Sequence, residues 1–248
     1  MTRFLIRHAG ITGERVTFDA EETRHLTRVL RLGPGDILEA FDGMGHVLTV
    51  RLERAGSRLA HGTLLARAPL DSESPLHLTL AQSIPKGSKM EGIIRMATEL
   101  GAARVVPLVT ARTVVRVEPG RPGPRLARWQ RVAQEAAKQS GRAIVTEVTP
   151  PQLVAAWLAV REMDDLLVCL WEDAVRPLGP QLPPPPVGRA TVVVGPEGGL
   201  ERAEADAFRA AGAVVGGLGP RILRTETAGP VGLALLQARY GDLGGSDT

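Results

Sequence analysis

Residues 191–208 read TVVVGPEGGLERAEADAF, which has the grammar of one strand, one bend and one helix. Val192–Val194 is a β-branched apolar run of the kind that fills a strand buried on both faces. Gly195–Gly199 breaks the run with three glycines and a proline. Glu201–Ala211 then has helix-forming composition, and Gly212 is placed to stop it. The following stretch, AVVGGLGPRILRTETAGPVGLALLQ over 213–237, repeats the pattern. Ala213–Val215 is the strand, Gly216–Arg224 the loop, and a helix opens near Thr225–Thr227 and runs towards Tyr240. Strands that alternate with helices predict an α/β fold around a parallel sheet. Adjacent strand-to-helix loops at one sheet edge are where such folds bind ligands.

Working outward, the alternation extends back to residue 76. Leu76–Ile84, Arg104–Val109, Val145–Val148 and Leu166–Trp171 read as strands. Ser88 with Glu91 predicts a capping box for a helix with apolar positions 90, 93, 94, 97 and 100, closed by Gly101. Leu126–Ser140 carries a helical stripe on 126, 129, 133 and 136, and Leu153–Val160 reads as a short helix. Ahead of a proline-bounded polar linker, Pro69–Pro75, the chain changes character. Arg3–Ile6, Arg15–Phe18, Asp36–Phe41, His46–Glu53 and Arg58–Ala66 form a β-rich meander with a turn at Asp42–Gly45. Within it Asp19 and Glu22 predict a capping box for a helix that stops at Gly33. Arg24, Arg28 and Arg31 fall at i, i+4 and i+7 of that helix, hence on one face.

Bulk properties narrow the function classes. The 248 residues are 44% hydrophobic but only 3% aromatic, which predicts an aliphatic core. The longest apolar stretch, Leu153–Val160, is far below the ~20 residues that span a bilayer, and MTRFLIRHAG lacks the apolar core of a secretion signal. One cysteine, Cys169, forms no intrachain disulfide, and a reducing cytoplasm is the simplest location. The net charge of +3 divides into +2 over residues 1–70, +5 over 71–150 and −4 over 151–248. Positive charge is therefore concentrated in the first two-thirds of the chain, which fits either a face for a polyanion or ordinary solvated surface. All five histidines lie at or before residue 77. With a single cysteine, this argues against a His/Cys metal site and against Ser–His or Cys–His nucleophilic machinery. Neither a phosphate-binding G-x-x-x-x-G-K-[ST] loop nor a G-x-G-x-x-G fingerprint is present.

GPEGGL (195–200) followed by LGPRILRTETA (218–228) resembles the SPOUT class of knotted methyltransferases, and within it the RsmE family. HLTRVLRLGPGD (25–36), QSIPKGSKMEGIIRMATELG (82–101), EAAKQSGR (135–142) and ARYGDLG (238–244) extend the resemblance nearly end to end. The resemblance implies a PUA-like β-barrel RNA-binding domain over residues 1–70 and a SPOUT methyltransferase domain with a trefoil knot over 75–248. It also implies S-adenosylmethionine as donor with no metal, 16S ribosomal RNA or the small ribosomal subunit as partner, a uridine N3 acceptor, and a homodimer. Nothing in the hydrophobic periodicity announces the knot.

Residue by residue, the resemblance puts the donor against Trp171, Gly195, Pro196, Glu197, Gly198, Gly199, Leu218, Gly219, Ile222, Leu223, Thr225 and Ala228, with Glu172 nearby. A sulfonium donor suits what the residues lack and supply. It needs no metal or covalent intermediate, and glycine loops admit close backbone approach. Uridine N3 must lose an imide proton, and an arginine fork at O2 and O4 would stabilise the resulting charge. Arg224 is the candidate. Glu226 has two readings, as proton acceptor or orienter of Arg224, and as a charge at the helix start. Arg24, Arg28, Arg31, Lys86, Lys89, Arg112 and Arg142 are the expected RNA contacts, with Glu99 and Gln139 on the same wall. The chain departs from the family pattern at Gly229–Pro230, which predicts a reset helix start with Pro230 as its first residue, and at Lys138. The apolar residues Val231, Leu233, Leu235 and Leu236 are the expected dimer surface. Two alternatives remain: a SPOUT enzyme acting on transfer RNA at ribose 2′-O or guanine N1, and a non-catalytic RNA-binding assembly factor.

Overall fold

The computed structural model describes residues 3–56, 58–70, 72–115 and 123–244. The chain divides into two compact units, one of residues 1–73 with 134–145 and one of 74–133 with 146–248.

The first unit is a six-stranded sheet built from β1 (Phe4–Leu5), β2 (Ile11–Thr12), β3 (Arg15–Phe18), β4 (Ile37–Phe41), β5 (His46–Ala55) and β6 (Ala60–Pro69). The order is β1-β4-β5-β6-β3-β2, antiparallel except for the β1–β4 pair. Inward-facing residues alternate along the strands, as period-two patterning requires, and bury Phe4, Val16, Phe18, Leu26, Leu48, Val50 and Leu52 together. The expected linker begins late, since β6 runs to Pro69.

The basic segment of this unit differs from its sequence reading. Helix α1 covers only Ala20–Arg24, and residues His25–Val29 follow as a π-helical turn in which Leu30 N–H reaches His25 O at 3.1 Å. Arg31 then takes φ +56, and Leu32 N–H bonds Leu26 O at 3.0 Å, so the helix closes two residues before Gly33. Spacing of 3.6 residues per turn does not hold through this stretch. Arg24, Arg28 and Arg31 are all exposed, but not as a stripe on one regular helix. The capping box is half realised. Asp19 accepts from the Glu21 and Glu22 amides, while the Glu22 carboxylate is turned to the Lys138 ammonium.

The second unit holds a seven-stranded parallel sheet. Its strands are β7 (His77–Ser83), β8 (Arg104–Val109), β9 (Glu147–Val148), β10 (Gln152–Leu153), β11 (Leu166–Leu170), β12 (Arg189–Val194) and β13 (Val214–Gly216). They run in the order β10-β8-β7-β12-β11-β13, with β9 beside β8. The helices are α2 (Lys89–Glu99), the part of α3 (Pro124–Ser140) before residue 134, α4 (Val154–Val160), α5 (Arg202–Ala210) and α6 (Thr225–Tyr240). The central strands read as continuous apolar runs because both faces are covered. On one face α4 and α5 pack Trp157 and Phe208 against Ala81, Cys169 and Val193. Burial pushes the Cys169 thiol up to about 12, so it is a protonated core group. On the other face α6 lies against β7 and β12 and also contacts α2. Among the described residues no helix is long and apolar enough to cross a membrane.

Three local expectations fail here. Ser88 precedes α2 with ψ +9 and makes no side-chain cap bond, and Glu91 instead pairs with Arg128 at 3.0 Å. A capping serine needs extended backbone to fold its hydroxyl over the first turn. Helix α6 starts at Thr225, and Pro230 lies inside it rather than opening it. Leu233 and Leu236 are buried in their own unit, which leaves Val231 exposed and Leu235 half-buried.

Candidate active site

Strands β11, β12 and β13 end side by side. Cys169 is paired with Val193 and Val215, and Leu170 with Val194 and Gly216. The loops that leave β12 and β13 therefore start from neighbouring points and enclose a cavity of about 550 Å³. That volume is within the roughly 300–1,000 Å³ typical of small-molecule sites. Its wall is made by the end of β11 (Leu170–Glu172), the whole 194–199 loop, the 216–226 loop with Ala228, and Lys89 from the start of α2.

Each loop is fixed by identifiable bonds. Trp171 is buried in the core, and its indole N–H donates to Leu200 O at 3.2 Å, which anchors the exit of the glycine loop. Gly199 sits at φ +73, the left-handed region in which any residue with a side chain would be strained, and it passes close against the Glu172 carboxylate. Glu201 and Glu204 form the capping box that starts α5. Arg112 Nη1 donates to Gly198 O at 2.6 Å, so it clasps the glycine loop. The second loop is pinned by Leu178 N–H to Gly217 O at 2.9 Å and by Trp171 N–H to Gly216 O at 3.3 Å. Thr225, buried at the start of α6, donates its hydroxyl to Gly195 O at 2.6 Å, so the two loops are bonded to each other.

Charge gathers at the rim. Lys89 Nζ lies 3.0 Å from Glu197 Oε1 and 3.2 Å from Glu226 Oε2, and Glu197 also accepts from the Lys86 amide at 3.0 Å. The two carboxylates hold the Lys89 ammonium above its ordinary range. Desolvation opposes the Glu197 anion, yet its own backbone N–H, Lys89 and the Lys86 amide bring that carboxyl below the usual carboxylate range. The Glu226 carboxyl is lowered by its own backbone N–H and by Lys89, with Arg224 adding a weaker pull. Arg224 is 84% exposed and reaches Glu226 only at 4.0 Å, so its guanidinium stands free over the cavity mouth.

A family model described as an RNA methyltransferase domain matches residues 72–237, and one described as an RNA methyltransferase PUA domain matches residues 18–65. The chain is 36% identical over 241 residues to ribosomal RNA small subunit methyltransferase E of Synechocystis sp., covering 95% of this chain and 77% of that protein. The chain belongs to the methyltransferase E family. Its Bacillus subtilis relative is 32% identical, with 84% of each chain covered. The solved methyltransferase E of Neisseria gonorrhoeae, bound to S-adenosyl methionine, superposes with a TM-score of 0.86 at 34% identity, covering 98% of this chain and 99% of that one.

With the family established, the sequence-derived residues can be placed. Trp171, Gly195, Pro196, Glu197, Gly198, Gly199, Leu218, Gly219, Ile222, Leu223, Arg224, Thr225, Glu226 and Ala228 all line the one cavity, with Lys89. Lys86 and Arg112 flank it through Glu197 and Gly198. Arg24, Arg28, Arg31 and Arg142 belong to the first unit. Arg142 is 5% exposed and bonds Glu73 at 2.6 and 3.0 Å, so its guanidinium serves the fold of that unit and is not presented to a ligand. Lys138 likewise pairs with Glu22 and Glu135. Gln82, at the end of β7, escaped the sequence reading and donates to Thr225 Oγ1 at 2.9 Å, while Lys89, expected to meet RNA, instead bridges the two loops. The motif QSIPKGSK contained both, but no local pattern assigns a polar residue at the end of a buried strand to a loop 140 positions away.

Proposed function

We propose that this chain transfers a methyl group from S-adenosylmethionine to N3 of a uridine in 16S ribosomal RNA, in the cytoplasm and as a homodimer. The observation that carries this reading is the convergence of the 194–199 and 216–226 loops on one cavity in a chain of the methyltransferase E family. The cavity suits the donor chemically. Leu170, Leu218 and Leu223 give apolar walls, the loop backbone can meet an adenine edge, and Glu197 and Glu226 supply negative charge beside a cationic sulfonium. When bound, the donor supplies an activated methyl group, so the chain's own task is to align the acceptor and manage one proton.

Arg224 is suited to that task because its fork of donors is exposed and held only by a 4.0 Å approach to Glu226. Placed against uridine O2 and O4 it would stabilise the charge that develops as the N3 proton leaves. Glu226 is better suited to orientation than to proton abstraction. Effective bases have pKa values near the operating pH, and Lys89 and the backbone move Glu226 the other way. The exposed arginines 24, 28 and 31 of the first unit, together with the PUA-domain match, support RNA binding there. The trefoil threading implied by the family belongs to the same proposal, supported by the parallel order β7-β12-β11-β13 at the site.

Purified chain incubated with methyl-labelled S-adenosylmethionine and small-subunit RNA tests the activity. The expected result is label in 16S RNA, dependent on Arg224. Label confined to transfer RNA, or donor binding without transfer to any RNA, would replace the proposal with one of its alternatives.

A further inference from the structure

Gln82 is fully buried and is not among the residues that line the cavity. It belongs to β7, in register with Val194, the last residue of β12 before the glycine loop. Its Nε2 donates to its neighbour's carbonyl, Ser83 O, at 3.0 Å and to Thr225 Oγ1 at 2.9 Å. The orientation of the amide is fixed, because Ser83 O can only accept. Gly195 O also can only accept, so the Thr225 hydroxyl must spend its proton there, at 2.6 Å, and receive from Gln82. One direction of donation therefore runs Gln82 to Thr225 to Gly195, tying the end of β7, the first residue of α6 and the first residue of the glycine loop.

The other half of the amide is left over. Gln82 Oε1 is buried without a hydrogen-bond partner among the described residues and faces α6 at Gly229, where a β-carbon would come within 3.0 Å of it and 3.5 Å of a Leu80 methyl. An unpartnered buried amide oxygen is a cost that a leucine of similar size would not carry. Nothing about packing this sheet against α6 needs an amide, since the neighbouring inward positions are Leu78 and Leu80. What needs it is the Thr225 hydroxyl.

We infer that Gln82 is a strut that sets the spacing of the two donor loops through the Thr225 hydroxyl, and that Gly229, a departure from the family pattern, accommodates its unpaired oxygen. The inference rests on the functional reading above in taking the cavity to be the donor site. Its function is in binding, not in stability. Removing the amide frees a buried oxygen from its penalty while releasing Thr225 to other rotamers.

The test is a double-mutant cycle on S-adenosylhomocysteine affinity, measured by calorimetry alongside thermal midpoints. Gln82→Leu and Thr225→Val are each expected to weaken binding about tenfold. The double variant should be no weaker than either, and Gln82→Leu should keep its melting midpoint. Thr225→Ser, which restores the hydroxyl, should recover most of the loss seen in Thr225→Val. Undiminished affinity in Gln82→Leu, additive losses in the double variant, or affinity that falls only in step with the midpoint would each overturn the strut. In those cases the wild-type chain still binds the probe and the functional reading stands. A wild-type chain that binds none would overturn both.

Discussion

Among the single residues of the cavity, the proposed division gives charge stabilisation to Arg224 and loop geometry to its neighbours. Arg224→Ala should lower turnover by about 100-fold, the scale of losing a donor aimed at transition-state charge, while donor affinity changes little. Equal losses in turnover and donor affinity would make Arg224 a binding residue. Glu226→Gln removes one anion from the Lys89 bridge and should cost less than tenfold in turnover. A loss as steep as that of Arg224→Ala would restore Glu226 as the proton acceptor. The bridge also predicts a flat pH response. Glu197 and Glu226 titrate below the ordinary 4.5, and Lys89 above 10.5. The anions' contribution is therefore complete above 4.5 and lost only as pH falls through their lowered pKa values, while the ammonium's is lost only at the alkaline end. Lys89, Glu197 and Glu226 should therefore contribute no change in donor affinity between about pH 6 and 9, a window in which only the donor's own α-amino group titrates. No histidine is among the described residues that line the cavity, so turnover should show no break near the ordinary histidine pKa of about 6.5. Arg224 and Glu226, two positions apart in LRTET, were named through the family resemblance, and both line the one cavity. Arg142 was misread because its partner, Glu73, is 69 positions away and burial is not written in a single charge.

Among the elements, the two strand–loop–helix units were the most legible part of the chain. A run of valines, a glycine bend and a periodic helix are each local signals, and they place α5 and β13 within one residue at each end, while β12 begins three residues before its valine run, at Arg189. The failures cluster at helix ends, where side chains choose between local and tertiary partners. Glu22 could close a cap and meets Lys138 instead, and Glu91 meets Arg128. Pro230 was expected to begin α6 because proline suits a first position, but the Arg224–Thr225 start is held by Thr227 and Ala228 amides on Arg224 O at 2.8 Å. Inside the helix Pro230 cannot donate to the Glu226 carbonyl. Pro230→Ala should therefore raise the melting midpoint by a few degrees, about 1 kcal/mol in a chain of this size. A fall would mean that the proline ring packs better than an added backbone bond stabilises. In the second loop Gly219 is at φ +117 with open space before its missing side chain. Gly219→Val should strongly weaken donor binding in calorimetry while the far-ultraviolet dichroism stays native. Wild-type affinity would remove that loop from the donor site.

For the molecule as a whole, the division into a β-rich unit and a parallel α/β unit follows from patterning, since the period of the apolar residues changes from two to that of alternating strands and helices near residue 70. That residues 134–145 are counted with the first unit was not legible, because one uninterrupted helical pattern runs from 126 to 140 and says nothing about which core each turn joins. The proposed dimer now rests on Val231 and Leu235, and light scattering at micromolar concentration should give twice the mass of one chain, with Val231→Asp shifting it towards one. Replacing Arg24, Arg28 and Arg31 with glutamine should flatten the dependence of log K for RNA on log salt by up to about one unit per arginine. An unchanged slope would leave those residues as solvated surface. The most direct test of the central claim is mass spectrometry of 16S ribosomal RNA nucleosides from cells that lack the gene, with and without the wild-type or the Arg224→Ala chain supplied in trans. N3-methyluridine should be missing without the gene, return with the wild-type chain and stay low with Arg224→Ala. N3-methyluridine that persists in the deletion, or a different methylated nucleoside that disappears with the gene, would contradict that claim.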